Sequence, residues 1–309
     1  MSVSTESITS ILALSRDRMI AEAVEQARAL VAARHSDEDH AVESCLALVE
    51  WRAAADAGRV NEGLIEAIAG ISRLKEAGYR PVLGWVFPTI GLALGLLGDF
   101  ERGLEWCERG IEDAEAAGDH QRLIIALGNK GAVLGFADEL DRAAECFEAV
   151  LRLCAGKPEV TGMMSLSNLA YCQILRAQQA ELPGPERDEL ARQALQYATD
   201  AMTAGAALRD SDAHLLAHAT GEALCNQGNA LCLLGRLEEA EAAFTKGLQI
   251  LDPYPQTNVE LTVSYAALLV ETGRHGPAEA LLDKAAAMVQ PDLVDRSGDR
   301  ILELRIKLA

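Results

Sequence analysis

The stretch GEALCNQGNALCLLGRLEEAEAAFTKGLQILDPYP, residues 221–255, decides the fold of this chain. Its first part carries apolar and small residues at helical spacing before Gly235 interrupts the pattern: Leu224, Gly228 and Leu231. Its second part shares one helix face among Leu237, Ala240, Phe244 and Leu248. Asp252 ends this helix because the residue before a proline is pushed out of the helical region. The stretch therefore predicts two helices joined by a short turn.

The same pattern returns along the chain at a nearly constant step. Gly63, Gly103 and Ala143 lie 40 residues apart, and each is followed four positions later by a small or apolar residue: Ala67, Cys107 and Phe147. Ala240 with Phe244 and Ala278 with Leu282 repeat the pattern at a step of 38. Such a step indicates stacked helix pairs, in which small residues let neighbouring helices cross closely. We therefore assign the glycines and alanines to packing.

The clearest repeat resembles the tetratricopeptide repeat, whose consensus W-x2-L-G-x2-Y, A-x3-F and P is met by Gly228, Leu231, Ala240, Phe244 and, one place late, Pro253. The resemblance implies an all-α fold, an α-solenoid of antiparallel helix pairs in a right-handed superhelix. It predicts about fourteen helices in a single domain over residues 1–309. The predicted repeats cover residues 4–37, 44–78, 84–118, 124–157, 163–207, 221–254 and 259–290, with a capping or linker helix at 293–309.

The spacing departs most from this step between Ala143 and Ala240, which lie 97 residues apart where two steps of 40 would use 80. An insertion of about 17 residues is expected there. We place it in the loop Leu182-Pro183-Gly184-Pro185 and in an extended second helix that reaches Ala207.

Three repeats carry asparagine at one position of the first helix, two residues before the small packing residue: Asn129, Asn168 and Asn226. In long tetratricopeptide repeats, equivalent asparagines line the inner groove and grip a peptide backbone, because a carboxamide is both donor and acceptor. That resemblance makes them the leading peptide contacts, joined on the concave face by Asn229, Tyr171, Arg52 and Trp85. The alternative is that each asparagine only bonds to the neighbouring helix and fixes the architecture.

Composition and motifs exclude several other function classes. The net charge of −19, with no concentrated basic patch, disfavours nucleic acid as a partner. No apolar run is long enough to span a bilayer and the N-terminus lacks a signal-peptide pattern, which predicts a cytoplasmic protein with no membrane partner. Neither a nucleotide-binding loop nor a catalytic motif occurs, so we expect no enzyme activity and no cofactor. His214 and His218 are four residues apart, but two ligands do not make a metal site.

The sequence therefore favours a non-catalytic scaffold that binds a protein or peptide segment. Its acidity favours a basic partner, although the same acids would also suit a solvated outer surface. One alternative is a regulatory module of a larger bacterial signalling protein, such as one that precedes a GGDEF diguanylate cyclase domain and continues past Ala309. Another is self-association into a homodimer through the outer helix faces.

Overall fold

The computed structural model of the chain describes residues 5–16, 19–33, 40–79, 83–154, 159–179, 182, 184–208, 213–251, 259–289, 293 and 297–308. These residues form fifteen helices and no strand, which confirms the predicted all-α fold. The helices are α1 Thr5–Arg16, α2 Ile20–Ala33, α3 His40–Asp56, α4 Leu64–Glu76, α5 Val86–Leu96, α6 Phe100–Ala117, α7 His120–Phe136, α8 Leu140–Cys154, α9 Val160–Ala177, α10 Gly184–Ala206, α11 Ala213–Leu233, α12 Leu237–Leu251, α13 Val259–Glu271, α14 His275–Ala286 and α15 Ser297–Leu308. In that portion of the chain, no helix is both long and apolar enough to cross a membrane.

Contacts between Cα atoms divide the chain into two compact parts, the N-terminal half, Met1–Val133, and the C-terminal half, Leu134–Ala309. In the N-terminal half, α1, α2 and α3 pack against one another, α3 packs on α4, and α5 packs on α6. In the C-terminal half, each of the first helices α9, α11 and α13 packs on its own second helix, α10, α12 or α14. The first helices also contact one another, in the order α9, α11, α13 and α15. Whether all the repeats form a single domain stays a prediction.

Close helix crossings occur where the sequence places small residues. A Cβ atom on Gly91 would lie 2.7 Å from the carbonyl oxygen of Gly103, so α5 and α6 touch backbone to backbone. A Cβ on Gly228 would lie 2.3 Å from Cε1 of Phe244, which joins α11 to α12. Gly63 differs, because it is half-exposed and adopts a φ of 76° just before α4. Glycine is needed at this position because of the left-handed backbone conformation, and not because two helices cross there.

Turns between helices follow ordinary capping chemistry. Gly118 ends α6 with a left-handed φ of 64°, and the Asp119 carboxylate accepts a hydrogen bond from the backbone N–H of Arg122 at 3.1 Å. The hydrogen bonds from the Arg122 side chain and backbone lower the pKa of Asp119. The predicted long second helix is α10, with 23 residues, and it begins at Gly184, so Gly184 and Pro185 belong to its first turn and not to the expected loop. Pro183 lies outside the described residues. The proposed helix-ending residues Asp252 and Pro253 also lie outside them.

All seven cysteines are free thiols, and six of them are buried in the helix packing of the two halves: Cys45, Cys107, Cys146, Cys154, Cys172 and Cys225. Burial raises the pKa of Cys45 to about 12 and that of Cys172 to about 11. These thiols therefore behave as small apolar side chains.

Candidate functional site

Two of the three predicted asparagines make the same bond to the preceding first helix. In the N-terminal half, Asn129 donates from Nδ2 to the carbonyl oxygen of Pro88 at 2.9 Å. In the C-terminal half, Asn226 donates from Nδ2 to the carbonyl oxygen of Ser167 at 2.8 Å and to its Oγ at 3.0 Å. Pro88 and Ser167 each lie three residues before a small packing residue, Gly91 and Ala170 in the printed sequence. The amide nitrogens therefore tie neighbouring first helices together.

The third asparagine, Asn168, is half-buried on α9. It lies beside Tyr171, which is also half-buried. Asn229 is only 8% exposed on α11, where its Nδ2 lies 3.6 Å from the sulfur of Cys225, a weak acceptor. A ligand role for these side chains stays a prediction.

The structure brings Arg52 and Trp85 together in the N-terminal half. The guanidinium carbon of Arg52 lies 5.7 Å from the centre of the Trp85 ring, while its Nε donates to Asp56 at 3.0 Å. Trp85 is buried, and its indole nitrogen is one of three sealed side-chain atoms without a hydrogen-bond partner in the described chain. The pair is a packed cation–π contact that also leaves one buried donor unused.

The three first helices of the C-terminal half present equivalent positions at one helical spacing. From the first of these residues on each helix, the steps are four, three and four, so the residues share one face. We call these twelve residues the ladder face: Met164, Asn168, Tyr171 and Leu175 on α9; Glu222, Asn226, Asn229 and Leu233 on α11; Glu260, Ser264, Ala267 and Glu271 on α13. The four on α9 are all half-exposed, whereas Asn226, Asn229 and Ser264 are buried between their neighbours.

A polar network closes one end of the ladder face. The Arg300 guanidinium on α15 donates to Glu260 Oε1 at 2.8 Å and to Ser264 Oγ at 3.2 Å. Ser297 Oγ donates to the other Glu260 oxygen at 3.2 Å, so both oxygens of this carboxylate are engaged. Glu222 contacts no arginine or lysine in the described residues, and its Oε1 lies 3.6 Å from Nδ1 of His218. Glu222 is therefore the carboxylate of this end that no described arginine or lysine neutralises.

Charge is distributed unevenly between the two layers of helices. The first helices α9, α11 and α13 hold one, one and two Asp, Glu, Lys or Arg residues. Their partners α10, α12 and α14 hold six, four and three. The predictions from sequence missed this difference, although counting charges helix by helix would have found it. Depletion of charge with retention of aromatic and amide groups is typical of the core of a binding surface.

Metal binding finds no support in the described part of the chain, where no three His, Cys, Asp or Glu side chains converge. His218 contacts Glu222, and the side chain of His214 lies outside the described residues.

Comparisons with known proteins agree with this architecture. Residues 221–250 match the tetratricopeptide repeat model, while no curated protein matches the sequence. The crystal structure of a thermophilic TPR protein from Thermus thermophilus is similar to the chain with a TM-score of 0.50 and 21% identity, covering 72% of this chain and 96% of that one.

Two solved complexes align over nearly the whole chain. The Rap protein complexed with competence and sporulation factor has a TM-score of 0.59 and 14% identity, covering 98% of this chain and 79% of its own. NprR in complex with its cognate peptide NprX has a TM-score of 0.57 and 14% identity, covering 98% and 84%. At such identities the likeness shows a shared fold of helical repeats.

Proposed function

Because this chain is a protein of the tetratricopeptide repeat type, we propose that it is a non-catalytic scaffold that binds a peptide segment on the ladder face. The observation that carries the proposal is the uneven charge of the two helix layers. A peptide that loses its water on binding does so at lower cost on the α9 part of this face, whose four positions carry no charge, than among charged side chains. The α9 part offers the carboxamide of Asn168, the ring of Tyr171 and the side chains of Met164 and Leu175, all half-exposed.

The fold likeness to NprR, solved with its cognate peptide, supports a peptide as the ligand class. The predicted residues Arg52, Trp85 and Asn129 belong to the N-terminal half, where Asn129 holds on α7 the position that Asn168 and Asn226 hold on α9 and α11. We propose that they line the equivalent face there. Trp85 is buried and the Arg52 side chain is 14% exposed, so a ligand would reach this cation–π pair only at its exposed edge.

A selection experiment tests the proposed function. The full chain is immobilised and a displayed library of random twelve-residue peptides is selected against it. The double variant Asn168→Ala, Tyr171→Ala should bind the selected peptides at least about tenfold more weakly, because a hydrogen bond and an aromatic contact are lost together. The matched control is Gln193→Ala, Gln196→Ala on the exposed side of α10, which should bind as the original chain does. Failure to enrich any peptide, or equal loss in both variants, would reject a peptide site on this face.

A regulatory module is the second candidate function. It is favoured by the fold likeness to Rap and NprR, each solved with a bound factor or peptide. In that case a selected peptide would change the hydrogen exchange of helices beyond the ladder face, whereas a passive scaffold would show protection only at the contact residues. Self-association is a third candidate, because Leu302 and Ile306, one helical turn apart on α15, are 60% and 67% exposed.

A further inference from the structure

The side chains of the ladder face indicate what kind of peptide would bind there, an inference that rests on the proposed function. The first observation that supports it is the hydrogen bonding of the Asn226 carboxamide. The bond from Nδ2 to the Ser167 carbonyl fixes the orientation of the carboxamide, because a carbonyl oxygen can only accept. Asn226 is 7% exposed, and its Oδ1 accepts no bond from the described residues. The three sealed side-chain atoms without partners there belong to Ser15, Trp85 and His218, so the Asn226 oxygen is not completely sealed from solvent.

An unengaged carboxamide oxygen in a nearly buried side chain is suited to accept a main-chain N–H from a ligand. Its amide nitrogen is committed to the helix pair α9 and α11, so the scaffold holds the acceptor in a fixed place. Ordering costs little when a binding group is already held in position. The free acceptor at Asn226 does not depend on the charge difference between the helix layers, so it supports the inference separately.

The second support is the electrostatic environment at the Glu222 end. Burial raises the pKa of the Cys225 thiol, the carboxylates of Glu260 and Glu222 raise it further, and Arg300 lowers it. Glu260, Glu222 and Arg300 therefore all influence the pKa of this thiol, and together they carry two negative charges and one positive charge. Since both oxygens of Glu260 are bonded to Arg300 and Ser297, the unbalanced charge belongs to Glu222, whose side chain is 39% exposed.

The third support is the apolar end of the same face. Tyr171, Leu175 and Leu233 lie one or two helical turns beyond Asn168 and Asn226 on two neighbouring helices. All three are half-exposed and none carries a charge. Met164, the α9 equivalent of Glu222, is also half-exposed and can cover the alkyl stem of a long cationic side chain.

We infer that the ladder face takes an extended segment whose lysine or arginine pairs with Glu222, whose main-chain N–H donates to Asn226 Oδ1, and whose apolar side chains lie on Tyr171, Leu175 and Leu233. The occupant is thus a basic-apolar peptide and not an acidic one. Charge complementarity sets the orientation of the segment across α9 and α11.

Binding of three synthetic peptide pools by the full chain tests this inference. The pools are fluorescein-labelled nine-residue peptides with random Leu, Val, Tyr and Ser positions and a fixed central Lys, Gln or Glu, and binding is followed by fluorescence anisotropy. The lysine pool should bind tightest and the glutamate pool weakest. Glu222→Gln should reduce affinity for the lysine pool about fivefold, the upper range for an exposed ion pair, and leave the glutamine pool unchanged. High salt should diminish the same preference.

The matched control is Glu238→Gln, an exposed carboxylate on α12, which changes net charge equally and should leave the preference for lysine intact. Thermal melting of both variants verifies that each is folded. Equal binding of the lysine and glutamine pools by the original chain would overturn the inference while leaving a peptide site standing. A lysine preference that survives Glu222→Gln would also overturn it. Absence of binding by every pool would reject the proposed function itself.

Discussion

At the scale of single residues, several helix crossings depend on glycines at which any side chain would clash with the facing helix. Gly228 is the clearest case, because a Cβ would meet three ring atoms of Phe244 at 2.3 to 2.7 Å. Phe244 is fully buried and belongs to a core cluster with Leu231, Ala240 and Leu261. Its ring has no free volume into which it could retreat without moving those neighbours. A single methyl group at position 228 therefore acts on the whole crossing of α11 and α12.

We expect Gly228→Ala to lower the thermal midpoint, even though alanine is the better helix former. Overpacking of this kind costs about 1 to 3 kcal/mol of unfolding free energy. Gly276→Ala is the control, because this helical glycine in α14 has no atom within 4 Å of a Cβ and should be neutral or stabilising. Phe244→Leu in the Gly228→Ala background should recover part of the loss. Equal midpoints for the two alanine variants would contradict the crossing.

The carboxamide of Asn226 gives a second prediction at this scale. Asn226→Asp places a carboxylate against the carbonyl oxygen of Ser167, where a donor is needed. We expect a loss of about 1 to 3 kcal/mol in unfolding free energy, because a buried acceptor is left facing another acceptor. Asn168→Asp, on a half-buried side chain of α9, serves as the comparison and should lose less. A stable Asn226→Asp protein would show that the bond is dispensable for folding.

At the scale of helices, the sequence predicted the pairs but not the bonds between them. Small residues at a fixed step identify helix crossings because both the helical period and the steric requirement are local properties of the chain. The role of an asparagine, by contrast, depends on which atoms the fold places beside its side chain, and those atoms come from distant parts of the sequence. Asn129 and Asn226 could equally donate to a ligand, and only the position of the Pro88 and Ser167 carbonyls decides where the amide nitrogen goes. The neutralisation of Glu260 by Arg300, 40 residues further along, was unpredictable for the same reason.

One ion pair between elements makes a pH-dependent contribution that can be measured. Glu241 on α12 accepts from both terminal nitrogens of Arg274, at 2.6 and 2.9 Å, and from the Tyr265 hydroxyl at 2.9 Å. The hydrogen bonds from Arg274, and then that from Tyr265, hold the pKa of Glu241 below its ordinary value of 4.5. Because the folded state favours the carboxylate, the stabilisation is fully present above pH 4.5 and is lost as the pH falls through the lowered value.

We therefore expect Glu241→Gln to lower the thermal midpoint slightly at pH 7, and the difference from the original chain to shrink in acid. The effect is small because the pair is partly exposed and screened by water. Glu238→Gln, one turn earlier on α12, is the control because it makes the same change of net charge on the same helix. A difference that stays constant from neutral to acid pH would rule out the ion pair as its cause.

At the scale of the whole molecule, both halves use one rule for placing side chains. Asn129 on α7 and Asn226 on α11 hold the same position of their repeats, two residues before Gly131 and Gly228, and both donate to a carbonyl of the preceding first helix. An amide side chain therefore recurs at an equivalent place in both halves, while the second helices α10 and α12 carry more charged residues than their first helices. The asparagine positions could be recognised from the sequence because they repeat, whereas the charge difference was missed because net charge was considered for the chain as a whole.

The buried thiols give this protein a built-in set of local probes. Cys45 lies on α3, Cys107 on α6, Cys172 on α9 and Cys225 on α11, and each is sealed by the packing around it. Alkylation requires a thiolate in contact with solvent, which burial and the raised pKa suppress until the surrounding helices separate. Mass spectrometry of the alkylated peptides would therefore time the opening of individual repeats without any engineered label. A ligand that clamps α9 to α11 would slow the modification of Cys172 and Cys225 and leave that of Cys45 unaltered.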